Sequence, residues 1–128
     1  MIAVDTNVLI RILVDDPDAA LQMQSARALL AKSEVVYVPQ IVQVETVWVL
    51  ESAYCFDKSA ICKILDHLLY HPQFQLQAAD SFKSAVTLFN QHSADFSDCL
   101  ILTESTSQKL QLFTFDKKLS RLKGAVMP

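Results

Sequence analysis

Apolar positions along the chain alternate between short runs and longer stretches at helical spacing, and that alternation predicts the elements. Ile2 to Val4 is a short apolar strand, and the following NVLIRILVDD continues at helical spacing. DDPDAALQMQSARALLAKS predicts a second helix with Pro17 in its first turn and acids around it. EVVYVP is short and β-branched, the pattern of a buried strand, and it stops at Pro39. QIVQVETVWVLESAY has helical length, although its valines weigh against a helix. Asp57 is expected to cap DKSAICKILDHLLYH, which ends before Pro72. FQLQAA predicts a third strand, followed by the helix SFKSAVTLFNQHS with Asp80 as its cap. DCLILTESTSQ predicts a helix opening at Asp98, LQLFTFD a fourth strand, KKLSRLKG a short basic helix and AVMP a last edge strand. Strands alternating with helices give an α/β fold with a mostly parallel central sheet flanked by helices.

Composition narrows this picture. At 128 residues the chain is expected to be one domain spanning 1–128. Hydrophobic residues make up 52% of it and mean hydropathy is +0.26, more than so small a volume hides easily. An apolar patch covered by a partner or a second copy is therefore expected. No apolar run approaches the roughly 18 residues of a membrane helix, and the N-terminus lacks the features of a signal peptide. Cys55, Cys62 and Cys99 are odd in number and share no C-x-x-C spacing, which suits buried free thiols in a reducing, cytoplasmic setting. A net charge of −3 argues against a simple basic nucleic-acid binder, unless several acids are gathered in one site.

The acids are arranged as such a site requires. Open parallel sheets bind ligands beyond the carboxyl ends of their strands. Asp5 ends the first predicted strand and Asp116 the fourth, Glu45 lies just inside the helix after the second, and Asp98 opens a later helix. All four could face one sheet edge. Each also has an ordinary structural reading: Asp5 and Asp98 as helix caps, Asp116 as a turn residue. Glu45, set among valines and Trp48, is expected to be partly buried and to need a cation or donors beside it. Crowded carboxylates repel and raise one another's pKa unless a cation neutralises them. An all-oxygen set suits Mg²⁺ or Mn²⁺ rather than Zn²⁺. Thr6 and Asn7 add a hydroxyl and an amide that could hold Asp5 or a metal-bound water. His67 and His71 have i,i+4 spacing but lack the glutamate of H-E-x-x-H, so structural roles are expected for them.

IAVDTNVLIR, Glu45 within QVETVWVL, ADFSDCLIL and LFTFDKKL together resemble the PIN-domain ribonucleases, and within them the VapC-type toxins of prokaryotic toxin–antitoxin pairs. The resemblance covers essentially the whole chain, with the motifs in the family's order. It implies a PIN-like three-layer sandwich in which Asp5, Glu45, Asp98 and Asp116 are the acidic metal-binding positions. Asp95 matches an acid often found just upstream of the third, and Thr6 or Asn7 the polar support after the first. One departure is HSADFSD, where relatives often carry a glycine before ADF. The function implied is a Mg²⁺-dependent endoribonuclease, with Mn²⁺ as a substitute, cleaving RNA by a metal-activated water. The partners implied are a cognate antitoxin and a second copy in a homodimer. Setting the four acids aside turns the net −3 into +1, so the remaining surface does not repel RNA. Lys117, Lys118, Arg121 and Lys123 follow Asp116 and could touch phosphates, or could merely complement a helix dipole.

Other classes place acids at strand ends. A receiver-like phosphoacceptor domain needs an acid pair after the first strand and an accepting Asp after the third. Here Thr6-Asn7 follow Asp5, and Asp80 reads as a helix cap. A haloacid-dehalogenase-type phosphatase wants a second Asp where Asn7 stands. A PIN scaffold that only binds RNA remains a further alternative, although the acid set is intact.

Overall fold

The computed structural model describes residues 1–128, which divide into two compact units, Met1–Gln77 and Ala78–Pro128. The chain is α/β, with seven α-helices and only parallel strand pairs.

In the first unit the strands β1 (Ile2–Ala3), β2 (Val36–Val38) and β3 (Phe74–Leu76) form a parallel sheet in that order. Ile2 pairs with Val36, and Val36 with Phe74. Val36 and Val38 are fully buried, as expected of β-branched residues on a central strand flanked on both sides. α1 (Thr6–Leu13) follows β1 and buries Leu9 and Ile10. Pro17 does not open the next helix directly. Asp16 accepts from the Asp18 N–H (3.0 Å) and closes a single 3-10 turn, Pro17–Ala19, before α2 (Ala20–Lys32) begins. Arg11 of α1 donates to the Tyr54 hydroxyl (2.8 Å), which donates to Asp16 (2.8 Å) and ties these segments together.

α3 (Gln40–Ser52) forms despite its valines because one face is buried: Val42, Thr46, Val47 and Leu50 are all covered. Gln43 lies among them with no exposure at all. Its amide nitrogen donates to the Val38 carbonyl (3.3 Å) and the Gln77 carbonyl (2.9 Å), satisfying backbone oxygens where β2 and β3 end. The Gln77 side chain in turn accepts from the Gln40 N–H at the start of α3 (2.8 Å). These three glutamines fasten the first turn of α3 to the strand ends. α4 (Lys58–Tyr70) begins at Asp57, which accepts from the Ala60 N–H (2.8 Å) as its capping role predicts.

The second unit holds α5 (Ala79–Gln91) and α6 (Phe96–Ser107), which pack through a cluster of Phe82, Phe89 and Phe96 with ring centroids 5.8 Å apart. Asp80 is not the cap of α5. The cap position is Ala78, in the left-handed region at φ 51, and Asp80 falls in the first turn. α6 likewise starts at Phe96 rather than Asp98, with Asp95 in the cap position. β4 (Leu112–Phe113) pairs in parallel with β5 (Ala125–Val126), so the expected last strand forms its own two-stranded ladder. α7 (Lys117–Ser120) is one turn between them. Gly124 makes the turn into β5 at φ 96, where a Cβ would also meet Thr106 Cγ2 at 2.9 Å. Cys62 and Cys99 are buried free thiols, whereas Cys55 is exposed, which corrects the expectation of burial for all three.

Two buried polar atoms on α3, Gln43 Oε1 and Thr46 Oγ1, have no hydrogen-bond partner. The two residues should respond oppositely to apolar substitution. Gln43→Leu strands the Gln77 carbonyl, while the Val38 carbonyl keeps the Gln77 N–H (3.0 Å), and should destabilise by about 1–3 kcal/mol. Thr46→Val removes only a buried unpaired hydroxyl and should be neutral or stabilising by up to ~1 kcal/mol. Urea denaturation of both variants measures the contrast, and similar losses in the two would contradict it.

Candidate active site

In the first unit, the site residues gather at the junction between β1 and α1. The carboxylate of Asp5 is the N-cap of α1, accepting from the Val8 N–H at 3.0 Å. The capping role expected of an Asp here is real, yet the group remains exposed to solvent. Thr6 donates its hydroxyl to Glu45 Oε1 at 3.2 Å, linking the start of α1 to α3. The polar residue after the first acid thus holds Glu45. Glu45 itself is exposed, which corrects the expectation of partial burial. The reason lies in its helical neighbours. Ile41 and Trp48, four residues before and three after, are 62% and 54% exposed, so this side of α3 is apolar without being covered.

Asn7 lines a groove of about 590 Å³ beside Asp5, formed with Arg11, Gln22 and Ser25 and floored by Val8, Ala26 and Leu29. Sequence reasoning assigned no role to Arg11 or Gln22. Their pairing through Arg11 Nε and Gln22 Oε1 (2.8 Å) joins residues eleven positions apart on different helices, which leaves no local sequence signal.

The second unit holds three more of the predicted acids, Asp95, Asp98 and Asp116. Asp116 follows β4 as Asp5 follows β1, and repeats its geometry: Asp116 Oδ1 accepts from the Leu119 N–H at 2.8 Å and caps α7. The Asp116 N–H donates to Thr114 Oγ1 at 3.0 Å, which fixes the backbone leading into the cap. Asp98 lies in the first turn of α6, three residues after Asp95 and so on the same side of the helix. Asp95 holds the cap position without a side-chain capping bond. Burial, followed by the charges of Asp116 and Asp95, pushes the Asp98 carboxyl above the usual carboxylate range. This occurs at a helix N-terminus, where the dipole favours negative charge. Lys117, Lys118, Arg121 and Lys123 are all exposed. Because α7 is a single turn, it offers little macrodipole for them to complement.

No three His, Cys, Asp or Glu side chains lie close enough to hold one metal ion among them. That suits some cations better than others. Zn²⁺ takes at least three protein ligands, usually His and Cys among them, whereas Mg²⁺ retains several waters and is commonly held by one or two carboxylates. The oxygen-only donors and the repulsion at Asp98 fit a hard dication. His67 and His71 take no part: their rings pack edge-on at 5.3 Å, and His71 Nδ1 accepts from the Gln73 N–H at 3.1 Å. No helix is long and apolar enough to cross a membrane.

Comparison with known proteins bears on the whole chain. A VapC ribonuclease of Aquifex aeolicus (strain VF5) is 23% identical over 120 residues, covering 92% of this chain and 89% of that protein. A solved toxin–antitoxin complex from Klebsiella pneumoniae aligns over 99% of this chain and 96% of its own, at 22% identity and a TM-score of 0.38. The family model for the PIN domain matches residues 2–125, across both units, and the chain belongs to the PIN domain family.

Proposed function

We propose that this protein is a metal-dependent endoribonuclease, the toxin of a toxin–antitoxin pair, that hydrolyses RNA phosphodiesters. The observation that carries the reading is the placement of acids where strands hand over to helices, Asp5 after β1 and Asp116 after β4, with Asp98 half-buried within the electrostatic reach of Asp116 and Asp95. Membership of the PIN family and similarity to a protein named a ribonuclease support it.

The acids assigned to the reaction are Asp5, Glu45, Asp98 and Asp116, with Thr6, Asn7 and Asp95 in support. Mg²⁺, or Mn²⁺ in its place, would supply positive charge to the phosphate and acidity to the attacking water. Asp5 and Asp116 are each braced by a backbone N–H, which fixes one carboxylate oxygen and leaves the group in water for a cation. Thr6 holds the orientation of Glu45. Lys117, Lys118 and Arg121 would take RNA phosphates. The cognate antitoxin and a second copy of the chain are the proposed protein partners, and the exposed Ile41 and Trp48 on α3 offer them apolar surface.

Three outcomes test this reading. EDTA should abolish RNA cleavage and Mg²⁺ or Mn²⁺ restore it, while Asp5→Asn keeps the thermal stability of the native chain but loses cleavage. The fold should survive because Asn caps as well as Asp. Full activity in purified Asp5→Asn would reduce Asp5 to a cap.

With water attacking phosphorus and the 3′-oxygen as the departing group, the cut should leave a 5′-phosphate and a 3′-hydroxyl. A 2′-deoxy nucleotide at the scissile position should therefore still be cleaved. Mass spectrometry showing a 2′,3′-cyclic phosphate would exclude this route.

Asp98 makes stability depend on pH in a defined direction. Its folded pKa lies above the unfolded value, so the folded state holds the proton more tightly. Without metal, its contribution is favourable at low pH and is lost as pH rises through the folded pKa. Asp98→Asn, which is never charged, should erase that decline. Melting temperatures in EDTA from about pH 4 to 7 should thus separate the two proteins increasingly, and Mg²⁺ should raise the native chain's melting temperature more than the variant's. Parallel pH profiles would refute the assignment.

A further inference from the structure

Two phenylalanines beside Asp116 are held in solvent. Along β4 and its continuation exposure alternates: Leu112 and Thr114 are half-buried, while Phe113 is 60% and Phe115 82% exposed. Phe113 closes β4 and Phe115 lies in the bend that leads to Asp116, so both exposed rings belong to the short segment just before that acid. Burying a phenylalanine is worth about 1.5–3 kcal/mol, so two rings left in water contribute little to this fold.

The segment that carries them is fastened. The Leu112 N–H donates to the Gly124 carbonyl (2.9 Å) and the Thr114 N–H to the Val126 carbonyl (3.0 Å). Immediately after Phe115, the Asp116 N–H donates to Thr114 Oγ1 and the Asp116 carboxylate caps α7. Lys117, Lys118, Arg121 and Lys123 follow within eight residues of Phe115, all exposed, and none closes a salt bridge. Exposed aromatic rings on a tethered backbone, next to unpaired cations, suit one class of ligand. Single-stranded nucleic acid offers a base face to a ring and a phosphate to an ammonium in each nucleotide. A duplex keeps its base faces stacked and cannot use the rings.

We propose that Phe113 and Phe115 form a stacking platform that seats unpaired RNA bases next to Asp116, with Lys117 and Lys118 holding the adjoining phosphates. The proposal rests on the ribonuclease reading and adds to it the side chains that would seat the bases. Phe115, the more exposed ring and the immediate neighbour of Asp116, would carry most of the effect. It would act as a positioning residue that sets which nucleotide lies at the acid.

The experiment measures binding in an Asp5→Asn background with Mg²⁺ present. The probe is a short single-stranded RNA carrying 2-aminopurine, compared with the same strand annealed to its complement. Because its side chain is largely in solvent, Phe115→Ala should fold normally. It should weaken single-strand binding by about tenfold or more and abolish 2-aminopurine quenching, with the salt dependence of binding unchanged. Phe115→Trp should restore both signals, and Phe115→Leu, apolar but without a π face, should restore neither. Lys118→Ala should instead lower the salt slope by about one. Wild-type affinity in Phe115→Leu, or equal losses for single strand and duplex, would overturn stacking. So would Phe115→Ala that leaves RNA affinity intact but abolishes self-association in sedimentation, which would make this face a protein-docking surface. Cleavage assays in the otherwise native chain separate the two levels. If the chain cleaves RNA and Phe115→Ala matches it in affinity and rate, only the platform fails; if the chain neither binds nor cleaves RNA, both readings fail.

Discussion

The strand-to-helix junction is the constraint on which the rest of this structure depends. A parallel strand that ends in solvent must hand its chain to a helix whose first N–H groups have no intrahelical acceptor. Asp5 and Asp116 solve this alike, each accepting an N–H three residues on. The structural and functional readings of these acids therefore do not compete. A cap uses one carboxylate oxygen, and by bonding to backbone it fixes the direction of the group. The first turn of α3 is secured differently, by Gln43 reaching the carbonyls where β2 and β3 end. Glu45 inherits its position from that clasp, with Thr6 as a second hold.

Asp98 shows what such an arrangement costs. Its place in the first turn of α6 should favour charge. Burial and the charges of Asp116 and Asp95 act against that preference. Perturbed carboxyls cluster at functional sites, although structural charge networks also produce them. The proposed Mg²⁺ would relieve the repulsion at Asp98, and an ion that keeps much of its water asks for few carboxylates.

The apolar surplus of the composition is left partly unspent. Ile41 and Trp48 flank Glu45 on an uncovered side of α3, and Phe113 and Phe115 stand in water before Asp116. Exposed apolar side chains beside acids are a poor bargain for stability alone, and their placement next to the proposed catalytic residues ties surface to chemistry in both units. The two surfaces differ in kind. The α3 stripe carries Glu45 and borders the exposed Glu51, whereas the β4 rings lead directly into four cations, so the two surfaces differ in charge.

The sequence by itself determined the α/β alternation, the position of nearly every element and the capping roles of Asp5 and Asp57, because each rests on local patterning or on a bond three residues long. The acids could be singled out the same way, since a carboxylate at the end of an apolar run is visible without any partner. What only the tertiary structure decided is everything that depends on contacts distant in sequence. Glu45 sits in a valine-rich helix yet is exposed, because burial is set by which side of α3 meets the core and not by its composition. Asp80 lost its capping role to Ala78, and α6 opened two residues before Asp98, because helix starts follow backbone geometry at the preceding turn as much as side-chain preference. β4 and β5 made their own ladder, since strand pairing is a choice among distant partners that two-residue strands cannot announce. Thr6 bonded Glu45 across 39 residues, a pairing that only the folded chain could make.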